Sequence, residues 1–168
     1  GDTTIINGSG QNAIIVDGAK QVLIDGFKVE SGYRGINIIS GADAEIKNLK
    51  VQDNSDRNIS VSGNSKLVIT DCAVEGSGSD GIRGDANAII YLFGTISSNK
   101  NRGRGIFIGS SSVIIILYAD VTTNENDDRG FRVGGNSDCT IFNSKYTSNN
   151  NTKDGVFVGQ SSNINLIQ

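Results

Sequence analysis

Residues 35–57, "GINIISGADAEIKNLKVQDNSDR", decide the fold. Ile36 and Ile38 alternate with other residues, a Gly-bearing turn follows, and a second apolar series runs through Ile46, Leu49 and Val51 to a polar corner at Asn54. Period-two spacing puts each apolar pair on one face of a strand. A spacing of three and then two means a sharp bend between the first and second inward residues of the later series. Such a unit is one coil with three short straight sides.

The unit recurs along the whole chain. Segments that begin with the same pattern open at Ala13, Gly35, Asn58, Gly81, Gly105, Gly130 and Gly155, so their lengths climb from 22 to 25 residues. A period of 20 to 30 residues filling a sequence is the signature of a solenoid. First-strand pairs such as Ile59 and Val61, Ile106 and Ile108, and Phe131 and Val133 line up as a core face. The later series is read as Ile69, Cys72 and Val74, then Tyr91, Gly94 and Ile96, Ile116, Ala119 and Val121, and Ile141, Ser144 and Tyr146. The extra residues of the longer coils are assigned to the corner after these series, as in "NKNRGR" and "NENDDR".

Composition agrees with short strands and tight turns. The 168 residues include 22 Gly and no Pro, His, Met or Trp, and 36% are apolar, which suits β-structure better than helix. A net charge of −3 without a basic stripe argues against nucleic acid as a partner. The apolar run "SSVIIILYADV" is too short for a bilayer span, so no membrane span is expected, and the opening "GDTTIING" carries no signal-peptide pattern.

The columns in "GINIISGADAEIKNLKVQDN", "GIFIGSSSVIIILYADVTTN" and "GFRVGGNSDCTIFNSKYTSN" resemble the right-handed parallel β-helix repeat of the pectate-lyase-like superfamily. The resemblance covers residues 3–168. It implies an all-β fold: one domain over 1–168 forming a single right-handed parallel β-helix of about seven coils, without evident capping helices. The resemblance also implies a secreted protein or one on a cell or virion surface. "IKNLKVQDN" meets the leucine-rich repeat pattern as well, but other coils place Cys72, Gly94, Ala119 and Ser144 where that repeat wants Leu.

Three sets of residues are candidates for function. Asn54, Asn99, Asn124 and Asn149, with Gly32 and Ser77, read either as an Asn ladder passing amide hydrogen bonds along the axis or as ordinary turn residues. Arg34, Arg57, Asp80, Arg104, Arg129 and Asp154 form one charged column at the corner, which reads either as mutually neutralised surface charge or, with Asp127, Asp128 and Glu125, as a glycan groove. Asp127, Asp128, Asp80 and Asp154 are then the candidate acid and base carboxylates, a role that needs pairs about 5 to 10 Å apart. The histidine and lysine motifs of galacturonase-like relatives are missing, and no acidic cluster suggests a metal or other cofactor. The third set, Arg83, Phe107, Arg132 and Phe157, lies on the outward side of successive first strands, where aromatic and guanidinium groups suit sugar rings, carboxylates or a protein interface.

Cys72 and Cys139 fall in inward columns three coils apart, roughly 14 Å at coil spacing, so they are expected to be buried free thiols. The expected function is an extracellular, non-catalytic structural or adhesive module that contacts polysaccharide through the Arg/Phe face. Copies of the chain are expected to associate end to end through open coil edges into a fibre. The alternative is a polysaccharide lyase or glycoside hydrolase, or its core fragment, with its groove near Asp127, Asp128 and Arg129.

Overall fold

A computed structural model describes residues 4–168. The described residues wind through eighteen strands into a right-handed parallel β-solenoid of about seven turns. The first side of each coil uses the period-two spacing seen in its sequence. The first side is a seven-stranded parallel sheet built from Ile14–Asp17, Ile36–Ile39, Ile59–Val61, Ile82–Gly84, Ile106–Ile108, Phe131–Val133 and Val156–Val158. The second and third sides are joined in one eleven-stranded sheet, because Lys66–Glu75, Ile89–Asn99 and Val113–Thr122 run through the bend between them. Among the described residues no helix is long and apolar enough to cross a membrane.

Stacking sets like on like. Ile36, Ile59, Ile82, Ile106 and Phe131 pair in register, and all five are fully buried. Burying an aliphatic side chain stabilises by about 1.5 to 3 kcal/mol, so these matched columns are the main force holding the coils in register. Both Cys72 and Cys139 are buried and unpaired, on the third and second sides respectively.

Two details differ from the sequence reading. First, the inward residues of coil four are Ile90, Leu92, Ile96 and Ser98, whereas Tyr91 faces outward and Gly94 lies in the bend. Cys72 therefore stacks under Ile96 and Val74 under Ser98, with Val121 above Ile96. Second, the growth of the coils from 23 to 25 residues happens at this bend, and only the first step, from 22 to 23, lies at the corner, where Val29 to Ile36 takes seven positions. Between inward residues the bend takes three steps from Ile24 to Phe27, Ile46 to Leu49 and Ile69 to Cys72, four from Leu92 to Ile96, and five from Ile116 to Val121 and Ile141 to Tyr146. The corner spans eight positions in every coil from Val51–Ile59 onward. One left-handed residue turns each bend: Gly26, Asn48, Asp71, Gly94, Tyr118 and Asn143. Glycine, Asn and Asp take that conformation at least cost.

Polar residues replace apolar ones at the last inward position of the later coils, and they are satisfied there. Ser98 Oγ donates to the carbonyl of Gly105 at 2.6 Å, Thr123 Oγ1 donates to Ser148 Oγ at 3.1 Å, and Ser148 Oγ also donates to the Gly155 carbonyl at 3.0 Å. Buried hydroxyls without such partners would destabilise the core.

Candidate functional site

The corner carries two asparagine columns, not one. The inner column is Gly32, Asn54, Ser77, Asn101, Asn126 and Asn151, and the amide oxygen of Asn54, Asn101, Asn126 or Asn151 accepts the backbone N–H of the residue one coil before it at 2.8 to 3.1 Å. Asn99, Asn124 and Asn149 belong to an outer column two residues earlier, in line with Glu75. There the direction reverses: the N–H of Asn124 donates to Asn99 Oδ1 at 2.7 Å, and that of Asn149 to Asn124 Oδ1 at 2.8 Å. Grouping Asn54 with Asn99, Asn124 and Asn149 followed from counting Ile96 as the last inward residue of coil four instead of Ser98. Asn101, Asn126 and Asn151, the inner partners of Asn54, were missed for that reason.

The charged column stacks as its spacing indicates, since Gly35, Gly81, Gly105 and Gly130 donate backbone N–H groups to the carbonyls of Arg57, Arg104, Arg129 and Asp154. Its carboxylates differ in what they have left to offer. Asp80 is wholly buried, and its oxygens accept Arg104 Nε at 2.8 Å, Arg104 Nη2 and N at 3.0 Å, and Arg83 Nη1 at 3.1 Å. A carboxylate so enclosed has no free lone pair for a substrate, and its role is to hold the two guanidinium groups. Asp154 accepts Arg129 Nε at 2.7 Å, and Asp128 pairs with Lys153 at 3.0 Å and Arg129 at 3.5 Å. Asp127 is exposed, with no ion-pair partner among the described residues. The adjacent pair thus divides into one committed carboxylate and one solvated one. Among the described residues, no group of three His, Cys, Asp or Glu side chains is placed to hold a metal ion.

The outward column of the first side pairs Ser60, Arg83, Phe107, Arg132 and Phe157 in consecutive coils. The guanidinium carbons of Arg83 and Arg104 lie 4.7 and 4.0 Å from the centre of the Phe107 ring, and that of Arg132 lies 5.5 Å from it. Phe157 receives Arg132 at 5.7 Å and Arg129 at 4.3 Å. These are cation–π distances, so the rings are engaged by cations of the same chain. What the column presents outward is guanidinium N–H groups and ring edges more than open aromatic faces.

Glycine makes the flat packing possible. A Cβ on Gly109 would lie 2.6 Å from Phe107 Cζ, and one on Gly159 would lie 2.7 Å from Phe157 Cε1. The signal was present in "FIG" and "FVG", where glycine follows the outward ring by two residues. Arg104 and Arg129, each three residues before an outward strand residue, were likewise legible only as corner charges.

The arginines sit in unlike surroundings. For Arg83, burial would lower the pKa, but hydrogen bonds and charge from Asp85 and Asp80 outweigh it and raise it. Arg132 is lowered, first by burial and then by the positive charges of Arg104 and Arg129. Its Nε is buried without an acceptor, and among the described residues it forms no ion pair. Arginine stays protonated under either influence. Arg132 is therefore a cation held between two rings and two other cations without a carboxylate of its own.

A family model described as right handed beta helix region matches residues 2–127 and again residues 34–168. No curated protein and no solved structure matches the chain.

Proposed function

We propose, for a chain that belongs to the right-handed β-helix family, the role of a non-catalytic scaffold that contacts an acidic glycan through its Arg/Phe face. Arg132 is the observation that carries this reading. Its guanidinium is flanked by the two rings, lacks an internal carboxylate, and is made less favourable as a cation first by burial and then by Arg104 and Arg129. A carboxylate or sulfate on a sugar relieves that arrangement with charge-assisted hydrogen bonds. Because the rings are engaged within the column, contact runs through N–H groups and not through sugar stacking. A role of this kind belongs outside the cell or on a cell or virion surface, where polysaccharide is met.

Affinity electrophoresis in gels containing a uronate-bearing or an uncharged polysaccharide tests the reading. Retardation is expected in the acidic gel alone, weakened at least tenfold in Arg132→Gln and reduced by salt. Equal migration of the native protein and the variant overturns it. Cleavage of either polysaccharide that is lost in Asp127→Asn or Asp128→Asn would support the enzymatic alternative instead.

Copies of the chain also join end to end in this reading. Such a joint would set the five-step bends of coils five and six against the three-step bend of coil one. Static light scattering reads this part directly as growth beyond a small oligomer with concentration.

A further inference from the structure

We propose that the outward face of the second side in coils four and five is where two copies of this chain meet, sheet against sheet, with their solenoid axes antiparallel. The segments "IIYLF" (89–93) and "VIIIL" (113–117) have no alternation at all. Their inward residues, Ile90, Leu92, Ile114 and Ile116, are fully buried in the solenoid. That leaves Ile89, Tyr91, Phe93, Val113, Ile115 and Leu117 on the outer face. A strand apolar on both faces is the pattern of a sheet covered on both sides, and among the described residues only the inner covering is present. Ile89 remains 38% exposed and the other five are half-buried.

The patch has a boundary. Along one column the residues read Asp43, Lys66, Ile89, Val113, Asp138 and Asn163 in register, and along the next Glu45, Val68, Tyr91, Ile115, Thr140 and Asn165. Apolar residues occupy the middle coils and polar ones most of the flanks, while Val68 in coil three and Phe142 and Ile167 in the third column extend the apolar surface. An apolar patch with a polar rim marks an interaction surface.

The flanks identify the occupant. A two-fold axis parallel to the strands, between coils four and five, keeps each column opposite itself and reverses the order of coils. Coil four then faces coil five, coil three faces coil six, and Lys66 of one copy faces Asp138 of the other, twice by symmetry. Asp43 and Glu45 fall opposite Asn163 and Asn165, so no like charges meet. Lys66 already leans over the patch, 5.6 Å from the centre of the Tyr91 ring. The other two-fold, along the solenoid axis, sets Asp138 against Phe142 and Lys66 against Thr70, and gives neither ion a partner.

Six coils at about 4.8 Å by five residues at about 3.3 Å make a strip of roughly 500 Å² on each copy. Two such strips bury about 1,000 Å², near the lower limit of specific interfaces. The complex is accordingly a weak, concentration-dependent dimer.

Sedimentation velocity over a range of concentrations, with circular dichroism to verify folding, tests the proposal. A monomer–dimer equilibrium is expected for the native chain, weakened at least tenfold by Ile115→Lys, whose side chain points away from the core. Lys66→Glu should weaken it as well, and Lys66→Glu combined with Asp138→Lys should restore it. A native chain that stays monomeric, because another segment or protein covers the patch, overturns the proposal. So does a dimer insensitive to Ile115→Lys. Failure of the double variant to recover overturns the antiparallel arrangement. None of these outcomes depends on glycan binding at Arg132.

Discussion

The side-chain oxygen of Asn126 receives two hydrogen bonds from Asn101, one from its backbone N–H at 3.0 Å and one from its amide Nδ2 at 2.9 Å. Both residues are buried. A single amide oxygen thus satisfies two donors that water cannot reach, while Asn126 Nδ2 donates to the carbonyl of Ser98 at 3.1 Å.

Asn126→Ala should therefore cost about 2 to 4 kcal/mol, since a buried donor left unpaired carries its whole desolvation penalty of about 1 to 3 kcal/mol. Asn124→Ala, in the more accessible outer column, should cost less than about 1 kcal/mol. Urea unfolding of the two variants beside the native chain checks the difference. Equal losses would mean that the inner column is no stronger than a surface turn.

Asp80→Asn removes the charge that holds Arg83 and Arg104 while preserving shape. Breaking a buried ion pair by altering one partner costs about 3 to 5 kcal/mol. The expected result is a large drop in the urea midpoint and, because the Phe107 ring rests against both guanidinium groups, altered near-ultraviolet dichroism. A variant as stable as the native chain would show that Asp80 is free for other work.

Burial pushes the thiol of Cys72 from 9.0 up to about 11 and that of Cys139 from 9.0 up to about 12. Both should resist a thiol reagent at pH 8 until the chain is unfolded. A folded-state value above the unfolded one stabilises fully below the unfolded pKa and loses that contribution as pH rises through the folded one. Stability should thus decline from pH 9 upward, by as much as about 1.4 kcal/mol per pH unit for each thiol. Melting curves between pH 8 and 11 for the native chain and Cys139→Ala measure the slope, which should be shallower in the variant.

Two glycines separate crowding by backbone from crowding by a movable side chain. A Cβ on Gly105 would lie 2.7 Å from the carbonyl oxygens of Gly130 and Ser98, so Gly105→Ala should cost about 3 kcal/mol. On Gly109 the obstacle is the tip of the Phe107 ring. The ring can swing aside, and Gly109→Ala should cost less than about 1 kcal/mol while weakening any contact made by the column. Chemical denaturation ranks the two.

The coils, their period and the first-side columns were legible in the sequence because Ile36, Ile59, Ile82 and Ile106 repeat with nothing intervening. Register within coil four was not, and the reason is physical. Where Ile89 to Phe93 are apolar on both faces, alternation disappears and Tyr91 looks as suitable for the interior as Leu92. The inward Ser98 then resembles a turn residue, because its burial depends on the Gly105 carbonyl, a partner seven residues away that no local pattern reveals. Asp80 was hidden in another way. Its four hydrogen bonds come from two other coil positions, Arg83 and Arg104, and spacing alone records a carboxylate without recording whether it is already occupied.

The opposed directions of the two asparagine columns bear on how the molecule comes apart. In coil five, Asn124 reaches back to coil four and Asn126 reaches forward to coil six from positions two residues apart. That corner latches both neighbours at once, so coils four to six should open as a single cooperative unit. Coils one and two have the inner asparagine link through Gly32 and Asn54 and, in the outer column, only a long contact from Gln52 Nε2 to Glu30 Oε2 at 3.4 Å. Amide exchange should accordingly be fastest in the early coils and slow nearly uniformly from Asn99 to Asn126, a gradient in protection set by which coils carry both latches.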